Sequence, residues 1–111
     1  MTVPKHDFGI LPAAPRQGKR YDAYEPQKYA CISVDDACIA GIAEKLMSFD
    51  SYRSTLSVKG RGLAYCGITL IPPSSLNAFI RSIGEDICLS PLKNMLETAL
   101  TEGKWVIHYG I

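Results

Sequence analysis

Two acidic residues at the end of a β-rich run, Asp35 and Asp36, are the first side chains whose type and position could do chemistry. Carboxylates placed where a strand hands over to a helix can move a proton or hold Mg²⁺. The same pair also suits a helix start, because an Asp cap accepts free N–H groups and its charge meets the positive end of the dipole. His108 is the second candidate. Between Ile107 and Tyr109 it could act as a general base toward the thiol of Cys31 or Cys66. Neither cysteine opens a helix, where its thiolate would be favoured. Cys38 does lie near a helix start, but the two carboxylates ahead of it oppose a thiolate. Capping is the favoured role for the aspartates and for Ser74 and Ser75, and His108 reads as a hydrogen-bonded strand residue. No catalytic residue is assigned. Walker, Rossmann, G-x-S-x-G and HExxH patterns are absent.

The four cysteines form no CxxC pair, and the two histidines, His6 and His108, sit near opposite ends of the chain. Zinc ligands normally come in pairs a few residues apart. The expectation is therefore no metal, no cofactor and buried free thiols. With 12 basic and 11 acidic side chains the net charge is +1. Such balance provides no cationic footprint for duplex nucleic acid or an anionic membrane. No stretch reaches the roughly 18 apolar residues of a membrane span, and residues 1–20 lack the apolar core of a secretory signal. A cytoplasmic protein with reduced thiols is expected.

The chain has 111 residues, 47% of them hydrophobic and 21% charged, which suits one domain with one core. Residues 1–28 hold four of the seven prolines and no periodicity. They read as an irregular arm in which residues 7–11 could add a short extended contact; residues 29–111 form the domain. Residues 29–34 alternate as a first strand. A helix follows with Ile39, Ile42, Leu46 and Phe49 on one stripe. Period-two patterning marks residues 52–58 as a second strand, and Lys59 to Gly62 reads as a hairpin loop. Residues 63–71 are nearly continuous in apolarity, as in a central strand. Helices then start at Ser74 or Ser75 and at Ser90-Pro91, ending at Gly84 and Gly103. The last strand is 104–109. The order β-α-β-β-α-α-β predicts an α+β, ferredoxin-like plait: a mostly antiparallel four-stranded sheet, first and third strands parallel at its centre, helices on one face. Parity places Ala64, Cys66, Ile68 and Leu70 on the helix side.

The other face would then display Tyr29, Tyr65, Trp105 and Tyr109, an aromatic patch too apolar to stay bare. Aromatics dominate interface energetics. The expected function is accordingly non-catalytic contact between proteins, through self-association or an accessory role toward a partner. An alternative is a small-ligand or undetected enzyme site between sheet and arm, with Asp35, Asp36 and His108 as its polar groups. A further alternative starts from residues 61–68, RGLAYCGI, which resemble the RNP1 octamer of RNA-recognition motifs at Arg61, Gly62, Ala64 and Tyr65. Leu63 and Ile68 stand where that family carries aromatics. The resemblance implies single-stranded RNA binding through Arg61 and Tyr65. Neither a second RNP motif nor a basic groove accompanies it, so nucleic acid is not the expected partner.

Overall fold

The computed structural model describes residues 4–64 and 66–110. Its centre is a six-stranded sheet in which every neighbouring pair is antiparallel. In chain order the strands are β1 (Lys5–Ile10), β2 (Ile32–Asp35), β3 (Asp50–Arg53), β4 (Thr55–Arg61), β5 (Ile68–Ile71) and β6 (Val106–Tyr109). In space they run β2-β1-β6-β5-β3-β4. The helices are α1 (Asp36–Ala40), α2 (Ala43–Leu46), α3 (Pro73–Ile83) and α4 (Ser90–Glu102), with a 3-10 turn at Ile87–Leu89 before α4.

The plait expected from the sequence is replaced by this arrangement, and β1 is the main reason. Residues 5–10 are not part of an irregular arm; they form a strand between β2 and β6. Period-two patterning is present there, with His6 and Phe8 turned to the helices and Asp7 and Gly9 away. His, Asp and Gly at buried positions hide it, because these residues are depleted in or neutral for strands. The second difference lies at residues 52–61. The hairpin turn is at Ser54, which takes φ 62°, so β3 and β4 pair with each other. Lys59 to Arg61 belong to β4 and are not a loop into β5. No parallel pair exists at the centre.

The helices do lie on one face. Phe8, Val34, Ile71 and Val106 from the sheet pack with Ile39, Leu46, Phe79, Ile83, Leu92 and Leu96 in the main core. Phe79 of α3 meets Phe8 edge-on at 6.0 Å and stacks on Phe49 at 5.0 Å. The parity read for the third expected strand is reversed: Ile68 and Leu70 face away from the helices, with Ile107 and Tyr109. A run apolar on both faces carries no parity signal; the register Ile68↔Tyr109 and Leu70↔Ile107 supplies it.

That second face is covered by the chain itself. Residues 11–31 cross it, and Leu11 and Tyr29 pack on Ile68, Leu70, Ile107 and Tyr109. The crossing passes so close to β1 that a Cβ at Gly9 would sit 2.8 Å from the Tyr29 Cβ and 2.7 Å from the Cys31 sulfur. Only glycine fits there. A disulfide, Cys38–Cys88, ties α1 to the 3-10 turn. It corrects the expectation of free thiols at these two positions and withdraws the reduced-thiol argument for a cytoplasmic location. Among the described residues no helix is long and apolar enough to cross a membrane.

Candidate functional site

The pairing of β1 with β6 sets Phe8 opposite His108, two residues from His6 on the same face. Two histidines 102 residues apart in sequence thereby become neighbours, with His6 Nδ1 2.8 Å from His108 Nε2. Both rings are enclosed, at 1% and 0% exposure. His6 Nε2 lies 2.8 Å from Asp36 Oδ1 at the start of α1, and His108 Nδ1 lies 3.2 Å from the Thr69 hydroxyl on β5. The Thr69 oxygen also accepts the Ala64 N–H at 2.9 Å. Phe8 closes over His108 with ring centroids 4.8 Å apart.

Donor counting assigns the protons along this line. Thr69 already accepts from Ala64, so its buried O–H is satisfied by donating to His108 Nδ1. His108 then carries its proton on Nε2 and donates to His6 Nδ1. His6 carries its own on Nε2 and donates to the Asp36 carboxylate. Every link then has one donor. Protonating His6 on both nitrogens reverses the inner link: His108 Nε2 must accept, Nδ1 must donate, and the Thr69 O–H must turn away. The line thus has two hydrogen-bonded states that differ by one proton. Burial, then the neighbouring His6 and Arg53, pushes His108 down to about 3, so the His108 ring is neutral near pH 7.

The Asp36 end opens into a pocket of about 230 Å³ lined by His6 of β1, Leu63 and the α1–α2 segment. Ile39, Ala43, Leu46 and Leu63 form its apolar wall, with His6 and Asp36 at one end. Asp36 is 22% exposed at its side chain, and is the one formally charged lining group among the described residues. Asp35, by contrast, turns outward, 3.9 Å from the exposed Lys5 ammonium, and its side chain caps no helical N–H.

The other sequence candidates are dispersed. Tyr109, 3% exposed, is buried under residues 11–31, with Tyr24 covering it edge-on at 5.1 Å, and Tyr29, 9% exposed, is part of that covering segment. Trp105 is half-buried against Tyr52 at 5.7 Å. Tyr109 and Trp105 belong to that second face, whereas Tyr29, expected on a strand beside them, packs onto it from the covering segment; the patch is this chain's own core, not an open surface. Tyr65 lies outside the described residues. Arg61 ends β4 with an exposed ion pair to Asp50 at 3.8 Å. The RNP1-like octamer therefore spans the end of β4, a connection and the start of β5, and does not form one flat strand. His108 and Asp36 do come together, on the helix side and through His6. His6 is the residue sequence reasoning missed; the alternation of residues 5–8 was its available signal.

Burial, then the charge of Asp7, pushes the Cys31 thiol up to about 11, and Cys31 packs on the face of the sheet opposite His108, so the thiolate is disfavoured and the two are not neighbours. Among the described residues no three His, Cys, Asp or Glu side chains are placed to hold a metal ion. A second cleft of about 270 Å³ lies under residues 11–29, with Arg16, Lys19 and Lys28 on its exposed rim. Comparison with protein-family models, curated proteins and solved structures gave no match, so the site is read from its geometry alone.

Proposed function

We propose that the chain binds a small apolar molecule ending in an ammonium or hydroxyl group, and that the Asp36–His6–His108–Thr69 line takes up and returns a proton there. One observation carries this: a buried line of four hydrogen-bonded side chains ends on a carboxylate inside an otherwise apolar pocket. A carboxylate is an acceptor only. A ligand group meeting it in an apolar enclosure must donate a hydrogen bond, or the burial is costly. The cavity is below the roughly 300–1,000 Å³ of drug-sized sites, which points to a short chain or single ring.

Titration with n-hexylamine and with hexanoate, followed by the NMR signals of the Ile39 and Leu63 methyls and the His6 ring, tests it. Hexylamine is expected to bind at least about tenfold more tightly, a difference of about 1.4 kcal/mol. Asp36→Asn should erase the preference. Equal binding of the two, or no response at the pocket methyls, would overturn the reading.

A second reading, protein contact through self-association or a partner, has one observation in its favour. Strand β4 is a sheet edge and exposes Val58 at 46%, and unpaired strand edges accept further strands. Lys59 and Arg61 on the same strand oppose such pairing. A sedimentation coefficient that rises with concentration supports this reading; a constant monomer value removes it.

A further inference from the structure

We infer that the Cys38–Cys88 disulfide is a redox latch on the proton-relay pocket, holding Asp36 against His6 when oxidised and releasing it when reduced. The inference rests on the reading of that pocket as the functional site, and it concerns its regulation. Helix α1 is only five residues long, yet it supplies Asp36, Ile39 and Ala40 to the pocket. Those positions lie one helical turn apart on one face, while Cys38 lies on another and faces the 3-10 turn. A segment this short has no helical stability of its own. Its tethers among the described residues include the Asp36 N–H to the Pro4 carbonyl at 2.9 Å, the Asp36 carboxylate to His6, the buried Ile39 and the disulfide.

The two ends of the latch differ in access. Cys88 is exposed in the 3-10 turn and Cys38 is half-buried, so a dithiol reductant can reach the Cys88 sulfur. Attack there forms a mixed disulfide and expels Cys38 as a thiol. The second reductant thiol then displaces Cys88. Two electrons and two protons pass to the cysteines, and the reductant leaves as its own disulfide. The relay's histidines stand on β1 and β6, away from the latch, and keep their pairing. Of the relay groups, Asp36 is the one carried by α1. Reduction therefore uncouples the carboxylate from an otherwise intact pair of histidines.

The test compares oxidised protein with protein held in dithiothreitol, and both with Cys38→Ser/Cys88→Ser as a second route to the open state. Hydrogen exchange of residues 36–40 and the ¹⁵N signals of both histidine rings are read by NMR. Reduction is expected to speed exchange in α1 by about tenfold or more, to average the His6 Nε2 environment, and to leave β6 protected. Unchanged α1 exchange and an unchanged His6 signal in the reduced protein would overturn the latch. Global loss of protection in β6 would overturn it too, by showing a purely structural bond. Hexylamine titration of the oxidised protein stands apart: its failure counts against the pocket reading, not against the latch.

Discussion

At the scale of single residues, His108 makes stability depend on pH. In the folded protein it binds a proton only near pH 3, against about 6.5 when unfolded. As pH falls below about 6.5 the unfolded chain takes up a proton that the folded chain refuses. Stability that is fully present above that value is therefore lost progressively toward pH 3, by up to about 1.4 kcal/mol per pH unit. Urea denaturation at a series of pH values should show this slope, and His108→Gln should flatten it. An amide at that position still donates toward His6 and accepts from Thr69, so the comparison isolates titration from packing. Gly9 offers a steric counterpart. Gly9→Ala places a methyl group against the Tyr29 Cβ and backbone and is expected to cost about 1–3 kcal/mol, read as a lower denaturation midpoint.

At the scale of elements, α3 shows how an amphipathic stripe became packing. Leu76, Phe79 and Ile83 were legible at helical spacing, and all three are buried beneath α3 against the sheet. Phe79→Ala should cost about 3–5 kcal/mol, measured by thermal or chemical unfolding, because its ring contacts both Phe8 and Phe49. α1 and α2 are the counter-example. One stripe from Ile39 to Phe49 suggested a single helix, yet the chain turns at Gly41 and Ile42 and makes two short ones. That turn lets Ala43 and Leu46 wall the pocket together with Ile39. Strand β1 was hidden for the opposite reason: its inward positions hold a histidine and its outward ones an aspartate and a glycine. Asp7 accepts from partners far along the chain, the hydroxyls of Ser33 and Tyr24.

At the scale of the whole molecule, the sheet is closed over on both sides by one chain: helices on one face and residues 11–31 on the other. Removing residues 1–10 takes out β1, which lies between β2 and β6. Such a truncation is expected to abolish cooperative unfolding in a thermal melt; a dispensable arm would leave it unchanged. The disulfide spans 50 residues of chain, so reducing it is expected to lower stability by up to about 4 kcal/mol through the loop-closure entropy regained by the unfolded state. Guanidinium unfolding with and without reductant measures that directly.

Local information in the sequence determined α3, α4, their caps at Gly84 and Gly103, and the last strand, because each rests on periodicity or backbone preference within a dozen residues. Only the tertiary structure decided that residues 5–10 join the sheet, that Tyr29 and Tyr109 are core, that Cys38 meets Cys88, and that Asp36 and His108 each lie within hydrogen-bond distance of His6. Strand pairing brings together positions up to 102 residues apart, and no local pattern encodes which distant partner will satisfy a buried polar group.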